Sequence, residues 1–271
     1  MEGSLGEKIG EGAMADVHAW APGKVLKLFK VGIPGRICWW EAYMTRAVFA
    51  AGGPAPEVLD EVKVEGRRGI VLPRLEGPTL LQLLQADAIT LEAAGGILAT
   101  LGLSVHETLS PPEVLPIREY LEASLRVPDA QLPEHIAEGV LALIDRLPPD
   151  EGLSHCDLHP GNVIVTPQGP RLIDWTGTKR GGAALDLACC HFLRNELVHE
   201  SLGEPERQRA LDAAVQSEYA RLAGISPAEL GAAMEAHLPV VRAFFLLSGL
   251  ARPATRERLL QRLETDLSFV D

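Results

Sequence analysis

The stretch Leu153-Ser154-His155-Cys156-Asp157-Leu158-His159-Pro160-Gly161-Asn162-Val163-Ile164-Val165, followed by Leu172-Ile173-Asp174-Trp175, constrains this chain more than any other feature. Pro160-Gly161 forces a turn, and the apolar runs Asn162–Thr166 and Arg171–Asp174 read as a short hairpin. Asp157 and Asn162 then lie on one turning loop and Asp174 ends a strand, so all three can point into one pocket. Asn162 and Asp174 are hard oxygen donors of the kind Mg²⁺ takes, because that ion uses few protein ligands and completes its shell with phosphate and water. Asp157, not needed for a metal, is left to accept the proton of an attacking hydroxyl. A lone HxD in a loop is most often a structural detail; this one has company upstream.

Gly10-Glu11-Gly12-Ala13-Met14-Ala15-Asp16-Val17 is a glycine turn between two strand-like runs. Gly10 and Gly12 let the backbone come close to phosphates, and the amides of Gly12, Ala13 and Met14 can donate to them. The same pattern also makes an ordinary hairpin, and no GK[ST] follows that would make it a Walker loop. Lys27 sits in the apolar strand Val25-Leu26-Lys27-Leu28-Phe29, where an ammonium either reaches solvent along its stem or meets an anion. Glu41, on the next helix, can be that anion, and such a pair fixes the ammonium where it can hold α- and β-phosphates.

The pattern of the chain changes near Glu76-Gly77-Pro78. Before it, strands at 5–9, 17–20, 25–29, 57–64 and 69–73 surround a helix carrying Trp39, Trp40, Tyr43, Met44 and Ala47, which stops at Gly52-Gly53-Pro54. After it, helices are expected at 79–86, 91–109, 117–126, 133–147, 184–201, 204–223, 227–250 and 254–267. Ser226-Pro227-Ala228-Glu229 is a capping box, and Pro239 should kink the helix it opens. The expected fold is α+β and bilobal, with a small antiparallel-sheet lobe over 1–77 and a larger helical lobe over 78–271.

Charge and cysteines narrow the partners. The formal net charge is −12 over 271 residues, which argues against nucleic acid. Residues 1–77 carry ten acidic and ten basic residues, and 78–271 carry 27 and 15, so the whole excess lies in the second part. That excess is either a solvated surface or a field attracting a cationic substrate. Cys38, Cys156, Cys189 and Cys190 have no CxxC spacing and read as reduced thiols. His155 and His159 flank a proline loop instead of lying on an HExxH helix, so His155 reads as a structural residue bonding the loop backbone and not as a zinc ligand. With no signal-like start and no run of about 18 apolar residues, a cytoplasmic location with no membrane partner is expected.

HCDLHPGNVIV and LIDW, with Lys27 and Glu41 upstream, resemble the aminoglycoside phosphotransferase and choline kinase superfamily, relatives of protein kinases, along essentially the whole chain. The resemblance implies a protein-kinase-like fold and an enzyme using ATP (or GTP) and Mg²⁺. It makes Asp157 the catalytic base and Asn162 and Asp174 the metal ligands. Lys27 with Glu41 would hold phosphate, and Asp186 would brace the catalytic loop. It also sets adenine against the strand Leu72-Pro73-Arg74-Leu75, with the Pro73 carbonyl and the Leu75 amide facing the base. The glycine loop departs from GxGxxG, with Ala15 in the third place. Trp175-Thr176 replaces the Phe-Gly of protein kinases, and little chain separates Asp174 from Asp186, so a small hydroxylated acceptor is expected in place of a peptide. An aminoglycoside or similar cationic antibiotic, inactivated by modification, is the first reading. A metabolic kinase of the choline, ethanolamine, homoserine or methylthiosugar type is the second, and a protein-kinase-like regulator a third. For a cationic acceptor, Glu196, Glu200, Asp266 and Asp271 are the expected contacts.

Overall fold

The computed structural model describes residues 5–126, 132–148, 152–197, 204–248 and 253–268. Strands β1 (Lys8–Glu11), β2 (Ala15–Ala21) and β3 (Lys24–Phe29) form a meander, helix α1 (Gly35–Ala50) crosses over, and β4 (Asp60–Val64) and β5 (Arg67–Pro73) complete the sheet. All its pairs are antiparallel, in the order β1-β2-β3-β5-β4. The β4–β5 turn is built on Glu65 and Gly66, both at positive φ (51° and 80°), the combination that matches the right-handed twist of a hairpin.

Strand alternation decides where Lys27 goes. Leu26 and Leu28 join Val71 on the outer face, with Trp20, Val62 and Val64 packed beside them. Phe29 and Ile70 pack with Cys38 and Ala42 of α1 on the other face. Lys27 shares the Phe29 side, and so points under α1. The expectation that the first strand begins at Leu5 runs three residues ahead of β1: Leu5 packs on the outer cluster, Gly6 and Glu7 exchange backbone bonds with Ala19, and a register shift precedes Gly10.

Beyond the sheet the chain is mainly helical: α2 (Leu80–Gln85), α3 (Leu91–Glu107), α4 (Ile117–Leu125) and α5 (Glu134–Arg146) precede the hairpin region. There β6 (Leu153–Ser154), β7 (Val163–Thr166), β8 (Gly169–Leu172) and β9 (Lys179–Arg180) occur, and α6 (Gly182–Asn195), α7 (Pro205–Ala223), α8 (Pro227–Leu247) and α9 (Pro253–Leu267) follow. The two-residue strands β6 and β9 pair with each other; two residues carry no periodicity, which is why sequence reading misses them. Thr79 with Gln82, and Ser226 with Glu229, form capping boxes, and Gly224 ends α7 in the left-handed region at φ 69°.

Gly77 joins sheet to helices at φ 152°, and a Cβ there would collide with the Val165 carbonyl. Val165 N–H donates to the Pro78 carbonyl (2.9 Å), so this crossing is fastened directly to β7. Helix α6 runs through the middle of the helical core, burying Leu185, Leu187, Ala188, Cys189, Cys190, Phe192 and Leu193. All four cysteines are unpaired and buried. Helix α8 is long and apolar enough by composition to cross a membrane, and more than half of it is buried inside the protein, where it packs on α6. The chain thus has the expected α+β architecture, with the β7–β8 hairpin between a small sheet and a large helical body.

Candidate active site

The loop after β6 is shaped by its own side chains. Asn162 N–H donates to the His159 carbonyl (2.9 Å), and Gly161 N–H to His159 Nδ1 (3.1 Å), closing the 3-10 turn Pro160–Asn162. A Cβ on Gly161 would meet the His159 ring at 2.8 Å. Asp186, buried on α6, accepts from His155 N–H (3.1 Å), Cys156 N–H (2.7 Å) and His106 Nε2 (3.0 Å). Those bonds hold Cys156 at φ 61°, and Asp174 sits at φ 66°. For side-chain-bearing residues such conformations cost about 1–3 kcal/mol each and persist only where surroundings fix them. Among the described residues, such strain falls at this site and at two surface turns, Glu65 and Asp87.

His155 ties the loop to the segment that carries Asp174. Its Nε2 lies 3.2 Å from the Ile173 carbonyl, and its Nδ1 is 3.2 Å from the Asp157 N–H. A neutral ring with the proton on Nε2 satisfies both contacts, and burial lowers its pKa in agreement. Trp175, fully buried, packs edge-on against it at 4.6 Å between ring centroids.

Asn162 Nδ2 donates to Asp157 twice, to the backbone oxygen (3.0 Å) and to Oδ2 (2.9 Å). This fixes the Asp157 carboxylate and leaves the Asn162 side-chain oxygen without a protein donor among the described residues. Burial, then the charge of Asp174, push the Asp157 pKa up to about 8, against the Asn162 hydrogen bond. The side chain still keeps 38% of its surface open.

Lys27 is paired. Its Nζ lies 2.6 Å from Glu41 Oε1 and 3.2 Å from Asp174 Oδ2. Burial works against the ammonium, but the two carboxylates outweigh it and raise its pKa. Burial likewise opposes the Asp174 charge, and Lys27 with the Thr176 hydroxyl brings its pKa below the usual value. The donor set suits Mg²⁺, an ion that draws most of its shell from phosphate and water: Lys27 and the Thr176 hydroxyl favour the anionic form of Asp174, and the Asn162 oxygen is available.

The glycine turn is tighter than expected. Gly12 N–H is used within it, donating to the Ala15 carbonyl at 2.8 Å, which leaves the amides of Ala13 and Met14 as the turn's other candidates. Gly10 pairs with Val17 across β1 and β2. At the crossover, Pro73 pairs with Lys24, Arg74 N–H donates to the Gly23 carbonyl (2.9 Å), and nothing accepts from Leu75 N–H among the described residues.

Two of the acidic residues expected at the acceptor are paired with arginines. Glu196 is 7% exposed and lies 2.6 Å from Arg242, with Arg262 at 3.0 Å. Asp266 also binds Arg242. Both carboxylates join α6, α8 and α9 through arginines; the sequence cannot show an arginine arriving from 46 residues away. Glu200 and Asp271 lie outside the described residues. Two site residues escape sequence reading. Thr176 bonds Asp174, although its place after Asp-Trp was visible, and His106 bonds Asp186 from α3, where a single histidine gives no signal.

A profile of the phosphotransferase enzyme family matches residues 25–238, from β3 through most of the helical body. The chain belongs to that family. Solved structures agree in fold with this phosphotransferase at low identity. A choline/ethanolamine kinase family protein from Mesorhizobium loti superposes with a TM-score of 0.63 at 16% identity, covering 97% of this chain and 87% of that one. An aminoglycoside-3'-phosphotransferase of type VIII does so at 0.55 and 24%, covering 90% and 93%. An amicoumacin kinase in complex with AMP-PNP, Ca²⁺ and Ami gives 0.58 and 15%, covering 98% and 87%. No curated protein matches the phosphotransferase in sequence.

Proposed function

We propose that the protein is a kinase that moves the γ-phosphoryl group of ATP (or GTP) to a hydroxyl of a small molecule. The observation that carries this reading is the fixed pair Asp157–Asn162 set beside Lys27–Glu41–Asp174. Asp157 orients the acceptor hydroxyl and takes its proton as the oxygen bonds to phosphorus and the bond to the departing nucleoside diphosphate breaks. Asn162 holds the carboxylate in place, and Lys27, steadied by Glu41, meets the phosphates. Mg²⁺, held by Asn162 and Asp174, would offset the charge of the phosphate oxygens.

For the acceptor, the cationic antibiotic reading rests on the acidic excess of residues 78–271. The pairing of Glu196 and Asp266 with Arg242 removes two of its expected contacts and favours the metabolite reading. The test is acceptor-dependent ADP release with aminoglycosides and hydroxylated metabolites side by side, with choline, ethanolamine and homoserine among them. Release with a metabolite and not with an aminoglycoside supports the second reading, and the reverse restores the first. Nucleotide that binds but is consumed with no acceptor of either class would count against a small-molecule kinase.

A further inference from the structure

Thr176 is the side chain of this site that the mechanism above leaves without a task. Its Oγ1 lies 2.8 Å from Asp174 Oδ1 and 3.1 Å from Glu41 Oε2. With Lys27 on the other oxygens of the same two carboxylates, the four residues close a ring of polar contacts that runs through all four carboxylate oxygens. The ring joins β3, α1 and the segment after β8. Its place is fixed from behind, since Trp40 of α1 donates Nε1–H to the Thr176 carbonyl at 3.3 Å.

A hydroxyl has one proton and two acceptor lone pairs, while an ionised carboxylate only accepts. The Thr176 proton therefore serves one carboxylate at a time, and the shorter contact assigns it to Asp174. If Asp174 Oδ1 turns to a cation, the same proton can rotate about Cβ–Oγ1 to Glu41 Oε2, which has no donor among the described residues while the proton serves Asp174. Valine, of the same shape, would leave Asp174 Oδ1 with no donor and remove the link to Glu41.

We infer that Thr176 is a positioning residue: its hydroxyl orients Asp174 for the divalent cation and couples that carboxylate to Glu41 on α1. The inference rests on the reading of Asp174 as a metal ligand given above. Groups that orient a ligand in this way commonly change metal affinity about 10–100-fold when removed.

The test compares Thr176→Val and Thr176→Ser in the full chain, titrating a fluorescent ATP analogue with and without Mg²⁺. The readout is the gain in nucleotide affinity that the metal brings, which needs no turnover and no known acceptor. For Thr176→Val the gain should shrink about tenfold or more, with metal-free affinity unchanged, and Thr176→Ser should keep the wild-type gain. A packing role would do the opposite, since valine keeps the methyl group and serine loses it. A wild-type gain in Thr176→Val, or a loss in Thr176→Ser matching that in Thr176→Val, would overturn the inference while leaving the metal assignment standing. If wild-type protein shows no gain from Mg²⁺, the metal assignment fails first and the inference with it. Should Thr176→Val not fold, Thr176→Ser and Thr176→Ala decide: retention by serine and loss by alanine supports the hydroxyl, and equal loss in both overturns it.

Discussion

Asp157 carries two demands that oppose each other. A base must be ionised to accept a proton, yet burial and the neighbouring Asp174 raise its pKa to about 8, so in the ligand-free protein it holds its proton through most of the neutral range. A cation bound beside it adds positive charge and favours the carboxylate. The sign follows: activity should rise with pH, because the deprotonated form is the competent one. With Mg–nucleotide saturating and acceptor varied, kcat/KM is expected to climb to a plateau through a limb at or below pH about 8. Activity that falls across that limb, in the absence of unfolding, would contradict the role given to Asp157. The raised pKa also means that the native state binds more protons than the unfolded chain between pH about 4 and 8. Ionising this group therefore costs stability, as is common where a functional side chain is held in a poor environment.

At the scale of elements, the helical body is fastened by buried ion pairs that the active site does not use. Asp212 on α7 accepts from Arg194 Nε (2.9 Å) and Nη2 (2.6 Å), and from His191, Asn195 and Gln216. Burial alone would raise its pKa, but His191 and Arg194 bring it down to about 2. A depressed carboxylate stabilises the fold above its unfolded pKa of about 4, and that contribution is lost as pH falls toward 2. Asp212→Asn should cost about 3 kcal/mol at pH 7, since Arg194, 1% exposed, would be left without its charge partner. Chemical denaturation of the variant at pH 7 and pH 3 checks this, and the difference from wild type should narrow at the lower pH. An equal difference at both would show that packing, not charge, sets the cost.

These pairs also mark the limit of what the sequence discloses. The turn at Pro160-Gly161, the capping box at Ser226 and the alternation that puts Lys27 under α1 are local, so periodicity and turn chemistry reveal them. The bracing of the loop by Asp186 was legible only through the family pattern. Arg242 with Glu196 and Asp266, and Thr176 with Glu41, join residues far apart in the chain, and neither spacing nor composition encodes which charges meet. That is why the carboxylates expected to face the acceptor turned out to hold helices together.

Over the whole molecule, the acidic excess of residues 78–271 remains, with Glu196 and Asp266 already paired with Arg242. Field and surface readings then differ in their response to salt, because attraction over more than the Debye length of about 8 Å is screened at physiological ionic strength. With the metabolite reading, KM for the true acceptor should change little from low to high KCl; a steep rise would restore a polycationic acceptor. The division of labour within the site is more basic than the acceptor's identity, and Mg–nucleotide affinity in Asp157→Ala beside Asp174→Ala tests it. Asp157→Ala is expected to bind Mg–nucleotide nearly as wild type while turnover drops about 10²–10⁴-fold, and Asp174→Ala to lose the metal-dependent part of nucleotide binding. Nucleotide affinity lost as severely in Asp157→Ala as in Asp174→Ala would contradict the account.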